Sequence, residues 1–226
     1  MLDKIKTIFT IPDLKRRILF TVALLVIVRM GADIPVPGVD GESLASAFQN
    51  LQNSLFGLFN TFVGGAFQKA SLFSLGIMPY ISASIIIQLM GSVVPYFQRL
   101  QKEGEAGRKK ITQLTRYGTV LISVMQSYSV ALFLEKELQV VIDPGFVFRF
   151  TTVVSMVTGT IFLMWLGERI TERGIGNGIS MIIMIGIVAS LPNVIVAEIS
   201  LIQEDVRSLL SEVILIGIMF LIDRKS

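Results

Sequence analysis

The sequence predicts an all-α polytopic membrane protein. Of its 226 residues, 52% are hydrophobic and 16% are charged, and the mean hydropathy is +0.70. A water-soluble domain of this length needs more polar surface to cover its core. Several stretches are also long enough to cross a bilayer, which takes about 20 mostly apolar residues. Lipid rather than water is therefore expected to cover much of the outside.

Five apolar stretches are predicted to span the membrane, and a sixth is shorter. The five are 18–30 (extending towards Val36), 70–97, 117–134, 150–167 and 174–197, of which the last four contain no charge. The sixth, 209–222, contains Glu212 and is followed only by the polar residues 223–226. We therefore expect the sequence to be the first part of a longer polypeptide.

The basic residues predict that the amino terminus lies in the cytoplasm. With that orientation the amino-terminal basic residues and the basic loop 99–116 lie inside, together with Arg169, Arg173, Arg224 and Lys225. The outer side or its edge receives only Arg29, Lys69, Lys136, Arg149 and Arg207. This three-to-one bias agrees with the positive-inside rule and explains a pI of about 9.3 better than a nucleic-acid partner does.

The amino-terminal region has two ambiguous features. The first apolar run has basic residues before it, as in a cleavable signal peptide, but further spans follow and 34–37 is not a small-residue cleavage site. An uncleaved first span is therefore predicted. Residues 1–14 are amphipathic, and two interpretations stay open: an interfacial cytoplasmic helix whose Lys4 and Lys6 contact lipid headgroups, or a frayed terminus.

A short apolar run from Leu55 to Val63 has helical spacing, and Gly64 and Gly65 end it. The run is too short to cross a bilayer. At membrane depth its terminal backbone groups need protein or a water-filled cavity around them. Two interpretations stay open, a helix lodged in a cavity or pore and a surface helix that covers the outer face.

The uncharged run 70–97 is predicted to be two pieces. Pro79 has no amide hydrogen and fits the first turn of a helix, so the spanning helix begins near Met78 and Gly76 marks the break. Ile77 and Ile81 lie four residues apart and share one face, as does Ile85. A stripe of this kind is most often simple packing.

A second glycine cluster, 174–178, has a G-x-G pattern that invites a nucleotide-binding interpretation. That interpretation requires a preceding strand, whereas a membrane helix precedes the cluster here. A helix that ends after Arg173, followed by one that begins near Asn177 or Ser180, explains the pattern better. The new helix presents Ile179 and Ile183 at four-residue spacing.

The chain contains no Cys and no His. Its residues therefore exclude a disulfide framework, a Cys/His zinc site and catalysis by an imidazole or a thiol. We find no phosphate-binding loop and no catalytic constellation. The sequence predicts neither an enzyme, nor a metal, nor a cofactor.

Three segments closely resemble the SecY family, whose members are the central subunit of a protein-conducting channel. They are Ser74–Leu89 (SLGIMPYISASIIIQL), Trp165–Ser180 (WLGERITERGIGNGIS) and Ile34–Gly38 (IPVPG). The resemblance covers nearly the whole chain but only the first half of the family's ten-span pattern, plus part of a sixth span. It implies one membrane domain, 1–226, that is half of an inverted-repeat clamshell around an hourglass pore.

The resemblance also implies roles for particular residues. A re-entrant plug corresponds to 55–67, with Phe59, Asn60, Phe62, Val63, Gly64, Gly65, Ala66 and Phe67. The pore ring corresponds to Ile77, Ile81, Ile179 and Ile183. The second and third spans resemble one side of the lateral gate, and Ser82, Ile85 and Gln88 correspond to positions near its seam.

The function that the resemblance implies is passage of unfolded secretory proteins across the bacterial cytoplasmic (inner) membrane, with lateral release of membrane segments. Implied partners are the missing carboxyl-terminal half, SecE-like and SecG-like subunits, a SecA-like motor or a ribosome, the signal peptide and nascent polypeptide, and the lipid bilayer, with no direct nucleic-acid contact. One alternative is half of a secondary transporter. Transporters usually carry a charged residue at mid-membrane, and the second and fifth spans have none. An anchoring subunit without a pore would leave the plug-like helix unexplained.

Overall fold

In a computed structural model of the chain, which describes residues 11–49, 51 and 55–203, nearly all of the ordered elements are helices. They are α1 (Pro12–Gly31), α2 (Gly41–Gln49), α3 (Leu55–Phe62), α4 (Met78–Val93), α5 (Pro95–Lys102), α6 (Glu105–Leu132) with a π-helical turn (Phe133–Glu137), α7 (Phe146–Arg173) and α8 (Gly178–Gln203). Within the described ranges there are two isolated β-bridges and no strand. The all-α class is confirmed.

The chain divides into two units, 1–188 and 189–226. The first contains α1 to α7 and the beginning of α8. In the second, the described residues 189–203 are helical and include Pro192. The predicted sixth stretch, 209–222, and residues 1–10 of the predicted interfacial helix lie outside the described residues.

The helix starts follow from proline and asparagine chemistry. Helices α1, α4 and α5 each have proline in the first turn, where a missing amide hydrogen costs nothing. The predicted start of α4 at Met78 is confirmed. Before α8, the Asn177 side-chain oxygen accepts hydrogen bonds from the amides of Ile179 (3.0 Å) and Ser180 (3.3 Å), so the predicted start near Asn177 is confirmed as well.

Two of the described helices are long and apolar enough to cross a membrane by length and composition. They are α6 with its π turn and α7; α4 and α5 add a third span if this pair, bent by 97°, counts as one. The bend is a second break in 70–97 that sequence analysis did not predict. It arises because Pro95 forces its predecessor Val94 into an extended conformation. The apolar part of α8, Gly178–Pro192, is short, so the count of five spans stays a prediction.

A stripe of small residues brings α6 close to its neighbours α4 and α7. The stripe recurs every four residues and is buried: Thr115, Thr119, Ser123, Ser127 and Ala131. Its hydroxyls donate to carbonyls of their own helix, for example Thr119 Oγ1 to the Thr115 carbonyl at 2.8 Å. In lipid, helices associate through such close, satisfied contacts rather than through the hydrophobic effect.

Arginine–carboxylate pairs join α6 to α7 near both ends of their contact. Arg116 donates to both oxygens of Glu168 (2.9 and 2.7 Å), and Arg149 donates to both oxygens of Glu135 (2.7 and 2.8 Å). The two pairs lie 19 positions apart on each helix. That is about 28 Å of helix, close to the thickness of a hydrocarbon core. The pairs therefore bracket a membrane-spanning layer.

Helix α7 also accommodates the irregular connection 63–77. At Gly159 a Cβ atom would lie 2.1 Å from the Leu72 carbonyl oxygen and 3.1 Å from the Phe73 ring. Gly118 on α6 offers a contrast, because a Cβ there would lie 3.5 Å from the Ala83 Cβ, an ordinary contact. A glycine is thus required at the first position and not at the second.

We expect Gly159→Ala to lower the free energy of unfolding by about 1–3 kcal/mol, because backbone of the connection must move to admit the methyl group. Gly118→Ala should leave it unchanged or raise it by up to about 1 kcal/mol through helix propensity. Unfolding titrations in mixed micelles, with both variants in the same complete protein, measure the difference. Equal effects of the two substitutions would contradict the close approach.

Candidate functional site

The four predicted ring isoleucines belong to one apolar cluster, formed by α1, the connection 63–77, α4, α7 and α8. Ile77 is buried, with 4% of its surface exposed, and Ile81, Ile179 and Ile183 are half-buried against the same cluster. Ile77 is the residue immediately before α4, and Ile179 lies in the first turn of α8. The structure therefore brings together residues that are about 100 positions apart in sequence.

Two cavities meet at this cluster, one apolar and one polar. Ile77, Ile81 and Ile183 line the apolar cavity, which has a volume of about 190 Å³. Ile81 also borders a wider, open groove of about 460 Å³, together with Ile179. The groove contains the polar side chains of Tyr80, Ser84, Gln88, Arg116, Glu168 and Asn177. Ile81 thus lies where an apolar chamber adjoins a polar one.

The predicted break at Gly64 and Gly65 is confirmed. Helix α3 ends at Phe62, and residues 63–77 form a series of turns. Gly64, Gly65 and Gly76 have φ angles of +66°, +83° and +55°, which L side chains rarely adopt. Phe62 and Val63, at the end of α3, line the apolar cavity. Of α3 itself only Phe62 lines this cavity and Leu58 is exposed, so both interpretations that spacing left open stay predictions.

Two of the other predicted plug residues, Phe59 and Phe67, contact a different part of the protein. Phe67 meets Phe48 and Phe59 edge to face, with ring centroids 5.4 and 5.3 Å apart, in a cluster with α2 and the end of α6. Asn60 pairs with Gln68, because its side-chain oxygen accepts from the Gln68 amide at 2.9 Å and its amide donates to the Gln68 side chain at 3.3 Å. Ala66 is buried in the isoleucine cluster. The segment is thus internally braced.

Two of the three predicted lateral-gate residues share the polar groove. Ile85 and Gln88 line it, and Gln88 Nε2 donates to Ser84 Oγ at 3.1 Å. Ser82 is half-buried and is not a lining residue. The groove also receives Thr112 and Arg116 from α6, so it lies along the α4–α6 contact. The gate assignment itself stays a prediction.

Sequence reasoning missed two residues that line the apolar cavity. Arg29 is the one charge inside the predicted first span, and the positive-inside count placed it at the outer edge. Gly186 is a lone glycine in an apolar run, and a Cβ there would lie 2.7 Å from the Phe62 carbonyl oxygen. The sequence signal that could have identified these two residues was an arginine or a glycine within an apolar run.

Hydrogen bonds join the connection 63–77 to residues 33–36, which follow α1. The amide of Val36 donates to the Ala70 carbonyl and that of Leu72 to the Ile34 carbonyl, both at 2.9 Å. The Lys69 ammonium donates to the Asp33 carboxylate. This hydrogen bond holds the pKa of Asp33 below its ordinary 3.8, helped by the charges of Lys69 and Arg29 and opposed by slight burial.

These features define a class: a helical membrane protein in which a short broken helix rests against an apolar cavity. The family model described as SecY matches residues 71–223. Protein translocase subunit SecY of Escherichia coli K12 is 56% identical over 183 residues, covering 80% of this chain and 41% of that protein. The Rickettsia typhi protein of the same name is 48% identical over 215 residues, covering 93% and 50%. The chain belongs to the SecY family.

Solved structures show the same fold. Canine Sec61, in a ribosome–channel complex from the endoplasmic reticulum, matches with a TM-score of 0.55 at 19% identity, covering 76% of this chain and 36% of that one. A structure described as a protein-conducting channel matches with a TM-score of 0.53 at 20% identity, again covering 76% and 36%. The chain thus spans about half the length, or less, of the relatives it matches.

We expect acid to weaken the Asp33–Lys69 ion pair, which joins the connection 63–77 to the residues after α1. Because the pKa of Asp33 is lowered on folding, the stabilisation is present above about pH 4 and is lost as the pH falls further. Both side chains are about half exposed, so the pair contributes less than about 1 kcal/mol. Asp33→Asn should speed hydrogen exchange at the amides of Val36 and Leu72 by at most about fivefold at neutral pH.

Asp143→Asn, which changes an exposed carboxylate in the α6–α7 loop, is the control. At each pH between 7 and 5, the amides of Val36 and Leu72 should exchange more slowly in the native protein than in Asp33→Asn. Exchange at these two amides that is the same in Asp33→Asn and in the native protein would contradict this role of the ion pair.

Proposed function

We propose that this chain forms one wall of a protein-conducting channel that passes unfolded secretory proteins across a membrane. The observation that carries the proposal is the meeting of Ile77, Ile81 and Ile183 with Phe62 and Val63 of the broken helix at one apolar cavity. Beside it lies an open polar groove of about 460 Å³. Membership of the SecY family supports the same function.

The chemistry of the constriction suits a flexible seal. Branched apolar side chains do not bind water, so a narrow ring of them dewets and blocks ions and small solutes. They also make no directional bonds and accept any passing side chain. In this proposal Ile77, Ile81, Ile179 and Ile183 supply half of the ring, and residues 59–67 supply a plug that withdraws when polypeptide enters.

The other half of the ring must come from elsewhere. The chain spans about half the length of these relatives, and we propose that the carboxyl-terminal half of such a polypeptide provides the opposite wall. SecE-like and SecG-like subunits would clamp and flank the two halves. A SecA-like motor or a ribosome would push the substrate, the latter in keeping with the complex in which canine Sec61 was solved.

We also propose that α4 and α6 form one side of the lateral gate through which substrates leave. The groove along α4 and α6 contains Ile85 and Gln88, and Ser82 lies on the same helix. A signal peptide or a membrane segment that enters this groove would meet an apolar side chain beside polar ones and could partition into lipid. The bacterial relatives and the distribution of basic residues favour the cytoplasmic membrane, with the amino terminus inside. Nothing in the comparisons supports the transporter alternative.

A photocrosslinker at Ile81 or Ile183 should capture a secretory polypeptide that is stalled part-way through the complete channel. Both side chains line the cavity through which the polypeptide is proposed to pass. The matched control is Ile86, which is on the same helix as Ile81 but lies outside both cavities and is 47% exposed. Capture at Ile86 alone would disprove the pore assignment.

Ile81→Gly combined with Ile183→Gly should increase ion leak through the resting channel. We expect at least a tenfold rise in conductance, since lowering the barrier by about 1.4 kcal/mol is sufficient. Ile86→Gly combined with Ile161→Gly removes equal volume from exposed positions on α4 and α7 and should not leak. Planar-bilayer recordings compare the two pairs, and equal conductance in both would refute the seal.

A further inference from the structure

Arg29 is the one charged side chain among the described lining residues of the apolar cavity. It lies in the last turn of α1 and is half-buried. Its Nη1 donates to the carbonyl oxygen of Gly64 at 2.6 Å. No carboxylate in the described ranges lies within 4.0 Å of it. A charge in apolar surroundings needs a partner, and the broken helix supplies that partner.

The Gly64 carbonyl is available because the backbone is broken there. With φ at +66°, Gly64 leaves the helix, and no described backbone amide donates to its oxygen. A carbonyl without a partner is costly away from water. The guanidinium and the carbonyl therefore satisfy each other, and the bond is charge-assisted and short.

Gly64 also lies against Gly186 of α8. A Cβ on Gly64 would lie 3.0 Å from the Gly186 Cα and 3.1 Å from its carbonyl oxygen. A Cβ on Gly186 would lie 2.7 Å from the Phe62 carbonyl oxygen. Two glycines thus permit direct backbone contact. A Cβ on Gly64 would also lie 3.4 Å from Arg29 Nη1, so Gly64 is in close contact with both Arg29 and Gly186.

The remaining side-chain hydrogen bonds of this region are internal. Thr61 donates to Gly57, Asn60 pairs with Gln68, and Ser74 donates to the Ala66 carbonyl. In the described part of the chain, Arg29 makes the only side-chain hydrogen bond between residues 57–66 and the helices α1, α4, α7 and α8. Loss of this bond would leave the internal hydrogen bonds of the segment intact.

We propose that Arg29 is the latch of the plug: its hydrogen bond to the Gly64 carbonyl holds residues 62–64 against Gly186 and keeps the resting constriction shut. This proposal rests on the proposed channel function. The latch can open because its acceptor is a neutral carbonyl rather than a carboxylate. When a polypeptide displaces the plug, water that enters with it solvates the freed guanidinium and carbonyl.

The test uses the complete channel in proteoliposomes with three variants. Arg29→Met removes the donor and keeps the apolar stem, and Arg29→Lys keeps the charge. Arg17→Met is the matched control, because Arg17 is on the same helix and contacts a glycine carbonyl, that of Gly174 at 3.5 Å, outside the cavity. The two readouts are resting ion leak and capture of residues 62–64 by a photocrosslinker at Ile183.

Arg29→Met should raise the leak by on the order of tenfold, the factor that a charged hydrogen bond represents, and should reduce capture in parallel. Arg29→Lys should lie between Arg29→Met and the native protein, and Arg17→Met should match the native protein. Unchanged leak in Arg29→Met overturns the latch. A raised leak with residues 62–64 still captured also overturns it, because the leak then arises elsewhere.

Gly186→Ala provides an independent arm if Arg29→Met does not assemble. Its methyl group displaces the Phe62 backbone while Arg29 stays in place, so capture should fall and leak should rise. Native behaviour of this variant overturns the proposal. Polypeptide capture at Ile81 is measured in parallel. Capture there without any latch effect rejects only the latch, whereas failure of capture in the native channel rejects the channel function itself.

Discussion

The architecture depends on one constraint: a non-helical backbone among membrane helices must have every polar group satisfied by protein. Residues 63–77 are such a backbone. Within the segment, the amide of Ser71 donates to the Ala66 carbonyl (3.0 Å) and that of Gly76 to the Phe73 carbonyl (2.8 Å). Two hydrogen bonds with residues 34–36 and one with Arg29 supply partners from outside. Only a segment braced in this way can stay compact beside a cavity.

That constraint explains where glycine is placed. An irregular backbone has carbonyls that project sideways, and a neighbouring helix can approach them only where it lacks a Cβ. Gly159 on α7 receives the Leu72 carbonyl, and Gly186 on α8 receives that of Phe62. A Cβ on Gly31 of α1 would lie 2.1 Å from the Phe73 ring. Three helices thus have a glycine where the irregular backbone or its side chains pack closely against them.

Sequence reasoning reached the elements whose causes are local. Proline at position 79 and asparagine at 177 act within one turn, so the starts of α4 and α8 were predictable. Val94 and Pro95 carried an equally local signal for the 97° bend, but the uncharged composition of 70–97 concealed it. Arg29 was not assigned a partner, because the Gly64 carbonyl lies 35 positions away and only the folded chain brings them together. The isoleucine pairing likewise required either tertiary structure or family resemblance.

The positions of the isoleucines follow from the same breaks. Ile77 immediately precedes α4 and Ile179 is in the first turn of α8, so the isoleucines lie in or next to the first two turns of each helix. Ile81 borders both chambers, Ile183 only the apolar one and Ile179 only the polar one. The isoleucines of the two helices are therefore staggered between the apolar and the polar chamber. Because both helix starts are set by breaks, a movement of the broken connection would move Ile77 with it. In the proposed channel the seal and the plug would therefore move together, and the hydrogen bond from Arg29 to Gly64 would act on both.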